Sequence, residues 1–134
     1  MPLNHAKHNY EVCLFLHEET EYNDWIITTA YYSAIHFIYY KLFPGSYADP
    51  QNGNVKSFDS FKKYCKNLKF GYSKHAATEN LVEEHLPEIF NDFKTLKDCC
   101  WTARYDNYII KDEIKNVCIK GLKAISEICK DPEI

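Results

Sequence analysis

The 134-residue sequence contains four Gly and one Arg, and each scarcity excludes something. There is no G-x-x-x-x-G-K, G-x-G-x-x-G or G-x-S-x-G run, so neither a familiar phosphate-cradling loop nor a nucleophile elbow is available. The six Cys, at 13, 65, 99, 100, 118 and 129, form no C-x-x-C pair. Cys99 and Cys100 are adjacent, which suits neither a zinc knuckle nor an ordinary disulfide framework. Four of the six fall on apolar helical stripes, where free thiols act as small hydrophobes, and this points to a reducing cytoplasm. The stretch Met1 to Tyr10 is polar and His-rich, which predicts no signal peptide. There is no internal repeat, no low-complexity segment and no alternating strand pattern.

What is present is an ordinary globular composition, 46% hydrophobic and 26% charged, rich in Tyr and Phe. A chain of this length forms one domain, here residues 1–134, with enough core to need no staples. The net charge of −3 argues against wholesale nucleic-acid binding. The distribution is uneven, however: Val55 to Lys74 holds six Lys against one Asp, a basic island on an acidic protein.

Apolar residues recur with the 3.6-residue period in five segments. The first is about Asn4 to Thr20, with Asn4 as its cap and Leu3, Ala6, Tyr10, Cys13, Leu14 and His17 on one face. The second is about Asp24 to Phe43, capped by Asn23 or Asp24. No charged residue occurs between Trp25 and Tyr40, so this helix is buried all round or covers its second face with a partner subunit. Sixteen residues rise about 24 Å, short of the roughly 30 Å hydrocarbon core of a membrane. Its Tyr, Thr, Ser and His residues argue further against lipid, and no membrane span is expected.

Pro44-Gly45 ends that helix and opens a loop to Asn54. A third helix is predicted over about Val55 to Leu68, with Phe58, Phe61, Cys65 and Leu68 as its stripe. The fourth segment starts at Ser73 and places His75, Thr78, Val82 and Leu86 together. Pro87 either kinks it or begins a new helix, and the stripe runs on through Phe93, Leu96 and Cys100. After a break near Asp106-Asn107, the last helix covers about Lys111 to Lys130, with Ile114, Val117, Cys118, Ile125 and Ile128 facing inward. The predicted fold is all-α, an up-and-down bundle of four to five helices.

Several residues do not fit a plain bundle. Arg104 lies eleven residues, about three turns, from Phe93, and so falls near an inward-facing line. A guanidinium there requires carboxylates, carbonyls or a ligand phosphate. His36 shares the line of Trp25, Thr29, Tyr32, Tyr39 and Phe43, as a core histidine or as part of a pocket wall. If His36, His75 and Arg104 converge, a proton-transfer group stands beside an anion binder. His5 and His8, at i and i+3, read as a surface pair; no metal or cofactor is expected. Lys62, Lys63, Lys66, Lys69 and Lys74, interleaved with aromatic residues, meet the description of a single-strand binder or form a solvated face.

The run Trp25-Ile-Ile-Thr-Thr-Ala-Tyr-Tyr-Ser-Ala-Ile-His36, then Lys74-His75, then Ala103-Arg104-Tyr105, resembles HEPN domains. The likeness is to small bacterial members with an Ala-Tyr-Tyr helix and a late Ala-Arg-Tyr, and it covers about Asn4 to Lys130. The resemblance implies a dimerising helical bundle associated with RNA or nucleotides in toxin–antitoxin, defence or stress systems, with a protein partner encoded nearby. Many HEPN proteins are metal-independent ribonucleases that use an Arg, four to six residues, then a His. Arg104 matches the Arg, but Ile109, Ile110 and Lys111 stand where the His would fall, and Tyr108 is the nearest polar ring. Tyr32, Tyr39, Tyr105 and Tyr108 are the candidate ligand-binding rings. Three alternatives follow: a non-catalytic binding module, an enzyme using Arg104 with His36 or His75, and a purely structural assembly subunit.

Overall fold

The computed structural model describes residues 2–130; Met1 and residues 131–134 of the predicted domain lie outside the described residues. The order is α1 (Pro2–Glu19), α2 (Asn23–Leu42), β1 (Gly45–Ala48), β2 (Val55–Phe58), α3 (Phe61–Cys65), α4 (Lys74–His85), a 3-10 turn (Pro87–Ile89), α5 (Phe90–Tyr105) and α6 (Asp112–Cys129). The predicted all-α class holds, with six helices and one small hairpin among the described residues. No helix is long and apolar enough to cross a membrane.

The uncharged run becomes α2, and α1, α5 and α6 all pack against it. Ile26, Ile27, Ala30, Ala34 and Ile38 are sealed on it, with Phe93 and Leu96 from α5 and Leu122 and Ile125 from α6. Small residues let α1 approach: the buried Ser33 hydroxyl donates to the Ala6 carbonyl at 2.8 Å. The helix is not enclosed on every side. Trp25 is exposed, and Thr29, Tyr32, His36 and Tyr39 are only half-buried. The line expected to be an inner face is therefore the least covered face of α2.

Several local expectations change. Asn23 is not a cap: α2 begins at Asn23 itself without a side-chain cap. The Asn23 amide instead donates to the Ile110 carbonyl at 2.7 Å and to Asp112 at 2.9 Å, tying the start of α2 to the start of α6. On α6 the inward stripe is rotated, so that Ile114, Val117 and Ile128 are exposed while Cys118, Leu122, Ile125 and Cys129 are buried. Pro87 divides the fourth segment, because Leu86 leaves the helical region and a 3-10 turn leads into α5.

The largest departure is Val55 to Leu68. Its first four residues form β2, antiparallel to β1, with Gly45 opposite Phe58 and Ala48 opposite Val55. Only Phe61–Cys65 is helical, started by extended Ser60, whose hydroxyl accepts from the Lys63 amide. Phe58 and Phe61 are three apart, a spacing that a strand end followed by a helix start reproduces as well as one helix does. Gly45 is required where it stands, since a Cβ would run into the Leu42 carbonyl and the Tyr47 ring.

Candidate functional site

The first turn of α4 and the last turn of α5 meet over the exposed line of α2 and leave a cavity of about 460 Å³. Tyr31 and Tyr32 form its floor, Ser73 and His75 one side, and Trp101, Arg104 and Tyr105 the other. Arg104 does not point inward as its spacing from Phe93 suggested. Ala103 takes the buried position, and Arg104 lies at the exposed rim. Its Nη1 donates to the Tyr32 hydroxyl at 2.7 Å, and its guanidinium sits 5.4 Å from the Tyr105 ring centre. Placement in the last turn of α5 favours a cation, because the helix dipole is negative there. Its hydrogen-bond partner is a hydroxyl, and among the described residues no carboxylate forms a salt bridge with the guanidinium.

On the opposite side, Tyr31 Oη and His75 Nδ1 are 3.1 Å apart. Burial pushes the Tyr31 phenol well above its ordinary pKa, so it stays protonated. Its hydroxyl donates to Nδ1 or accepts from it according to the imidazole tautomer. Ser73 caps α4 by accepting from the Ala76 amide at 3.0 Å, which brings the positive end of that helix to the cavity. Lys97 also lines it, but its ammonium is held by Glu79 at 2.6 Å; that contact keeps the Glu79 carboxyl below its ordinary pKa. Trp101 and Tyr105, with ring centres 4.7 Å apart, present exposed aromatic faces beside the guanidinium.

Among the residues singled out by sequence, Arg104, His75, Tyr32 and Tyr105 come together around this cavity. His36 and Tyr39 do not line it. His36 stacks on His5 with ring centres 5.0 Å apart, and burial together with His5 lowers its pKa. Tyr39 stacks on Phe61 at 4.2 Å. The Thr78 hydroxyl gives its proton to the Lys74 carbonyl at 2.9 Å, so Tyr39 is the donor across the 2.9 Å to Thr78. Tyr108 is exposed in the connection from α5 to α6 and does not line the cavity.

Lys62, Lys63, Lys66, Lys69 and Lys74 are all exposed. Lys63 is paired with Asp59 at 3.0 Å, and Lys69 borders a smaller cleft with Tyr64, Tyr72 and Asn80. Lys74 immediately precedes His75 in the first turn of α4 and lines neither the cleft nor the cavity.

Sequence reasoning passed over Trp101, Tyr31 and Ser73. Trp101 lies three residues before Arg104 and so on the same exposed face, a signal that was available. Ser73 marks a helix start in the sequence, and the fold makes it a cavity wall as well. Among the described residues, no three His, Cys, Asp or Glu side chains are grouped to hold a metal ion. No family model, curated protein or solved structure matches this chain.

Proposed function

We propose that this chain is a HEPN-like helical module that binds RNA or a nucleotide through the Arg104 cavity and acts as a dimer. The observation that carries the proposal is a guanidinium, without a salt bridge among the described residues, facing His75 and the positive end of α4 across one opening. Aromatic rings on the same rim supply stacking surface for a base, worth about 1–3 kcal/mol each. The exposed lysines from Lys62 to Lys74 give a polyanion a second contact outside the cavity. The partially uncovered face of α2 and the exposed rings of α5 supply the dimer surface. A bacterial toxin–antitoxin, defence or stress system, with a protein partner encoded nearby, is the setting the resemblance suggests.

The test is titration of a fluorescent oligoribonucleotide and a fluorescent mononucleotide, with sedimentation of the purified chain. Binding by the wild type, weakened at least about tenfold by Arg104→Ala, is the expected result; tenfold corresponds to about 1.4 kcal/mol. A monomer that binds neither ligand ends the proposal. A second reading, a metal-independent ribonuclease, draws on His75 lying in the same cavity as Arg104. His75 would then move the proton while Arg104 stabilises phosphate charge. RNA cleavage in EDTA that is lost in both Arg104→Ala and His75→Ala supports it; no cleavage, or equal cleavage by all three proteins, removes it. If Arg104→Ala changes stability and nothing else, the structural-subunit alternative stands instead.

A further inference from the structure

Phe70 is the most exposed large apolar side chain among the described residues, at 107% where Val55, the next, is at 75%. It sits at the corner of a turn closed by the Tyr72 amide, which donates to the Lys69 carbonyl at 3.1 Å. Gly71 supplies the positive φ, +85°, that a type II turn demands at its third residue. A Cβ placed on Gly71 would meet nothing within 4 Å, so the turn stands clear of the bundle. It is also braced at both ends. The Gln51 side-chain amide donates to the Leu68 carbonyl at 3.4 Å, and the Asn80 amide to the Tyr72 hydroxyl. Trp101 and Tyr105 pack on each other and line the Arg104 cavity. Phe70 lines neither that cavity nor the cleft beside Lys69.

The charges around this ring are of one sign. Lys62 and Lys66 lie four apart on α3 and its C-cap, Lys69 immediately precedes Phe70, and Lys74 follows it. Among the described residues these four form no salt bridge, whereas Lys56 and Lys63 are held by Asp49 and Asp59. Six Lys and one Asp between Val55 and Lys74, against a net charge of −3 for the whole chain, leave −8 on the remainder. The segment that carries Phe70 is therefore positive and the rest of the protein negative.

We propose that the Phe70 turn docks this protein on an anionic lipid bilayer. The ring enters the boundary between headgroups and acyl chains, and Lys62, Lys66, Lys69 and Lys74 reach the lipid phosphates around it. Such docking lies on the membrane and needs no spanning helix. A lone ring on a projecting turn fits a soft surface that closes around it. Single-strand binders instead offer a groove with successive rings, and protein interfaces bury an apolar patch of many residues. Lysine suits the border of such a site, because its apolar stem lies along the lipid while the ammonium stays among the headgroups. One inserted side chain attaches weakly, and the lysines are the second signal that attachment requires. The acidic remainder is repelled by the same surface, which orients the molecule with the turn foremost. The lysines are those offered to RNA above, so the two polyanions compete for them and Phe70 tells them apart.

The experiment sediments the full chain with vesicles of equal parts phosphatidylcholine and phosphatidylglycerol, and with vesicles of phosphatidylcholine alone. Binding to the first and not to the second is expected. Phe70→Ser should weaken it at least about tenfold, and so should Lys66→Glu combined with Lys69→Glu. The exposed Phe70 ring holds nothing in the fold, so Phe70→Ser tests the surface and not stability. In Phe70→Trp, emission should move to the blue on adding the mixed vesicles, by more than that of the wild type with its Trp25 and Trp101. Arg104→Ala should bind the vesicles like the wild type while losing the oligoribonucleotide, which keeps this proposal separate from the cavity's ligand. No binding to the mixed vesicles, equal binding to both kinds, or equal binding by the wild type and Phe70→Ser overturns the proposal. An unmoved emission does the same. If the vesicles are not bound but Phe70→Ser weakens the oligoribonucleotide, the turn is a strand contact and the proposal falls.

Discussion

In the bundle of α1, α2, α5 and α6, position is set by burial: Ile26, Ile38, Phe93, Leu96 and Leu122 lose all contact with solvent. Between Phe43 and Tyr72, position is set by a polar knot and a ring cluster. The buried Asp49 carboxylate accepts from Lys56 at 2.6 Å, from the Gln51 amide at 2.8 Å and from Asn67 at 3.3 Å. Around it, Phe43, Phe58, Phe61 and Tyr64 pack as tilted and edge-on rings. Burial over long helices depends on many residues at once and tolerates local error. A knot built on one carboxylate depends on that side chain. The bundle therefore carries the fold, while the arm carries five exposed lysines, at 56, 62, 63, 66 and 69, and can loosen without unfolding the rest.

The largest effect that tests this contrast is a pair of core truncations followed by urea denaturation. Phe93→Ala should cost about 3–5 kcal/mol, as for a fully buried aromatic. Phe61→Ala, half-buried and stacked on Tyr39, should cost about 1–2 kcal/mol. Equal losses would erase the distinction. Next in size is Ser73→Ala at the junction of the two regions, which removes the α4 cap and should cost about 1 kcal/mol. Amide exchange should localise that loss to Lys74–Ala77 and leave α5 protected. Arg104→Ala should lower stability by no more than about 1 kcal/mol, because it removes one exposed hydrogen bond. A larger drop in its thermal midpoint would mean that the guanidinium holds α5 to α2 rather than waiting for a ligand.

The smallest expected signal is in pH, and it separates the regions by window. Burial and His5 lower the His36 pKa, so the unfolded chain takes up that proton more readily than the folded one. This stability is complete above about pH 6.5 and is lost as pH falls through the lowered folded value. Lys56 lowers the Asp49 carboxyl in the arm, whose contribution is complete above about pH 3.9 and is lost only below that. Amide exchange at descending pH should therefore loosen the α1–α2 contact first and the hairpin later. The reverse order would contradict both assignments, and His36→Gln should flatten the first step.

Helix positions were legible because a long apolar period repeats its own signal: α2 and α5 fall close to where their stripes place them, and α6 falls within a residue at each end. The hairpin was not legible. Its two strands have four residues each; β1 alternates over too short a run to be read, and the burial of β2 does not alternate. The site was half legible. Arg104 stood out as the only Arg, and His75 and Tyr32 by their helical lines. Their mutual position depends on how α4 and α5 are brought against α2, and no spacing within one helix encodes that.

The sequence by itself determined the class, the central uncharged helix and the identity of the one guanidinium, because each follows from local composition and period. Only the tertiary structure decided which way that helix faces. The line Trp25, Thr29, Tyr32, His36 and Tyr39 reads as inward when every side of α2 is apolar, yet three helices cover only the remaining surface. It decided, too, that the two histidines separate, His36 to a stack with His5 and His75 to the cavity with Arg104. The physical reason is the same in both cases. Burial is a property of what arrives from elsewhere in the chain, and a residue's own neighbours in sequence do not specify it.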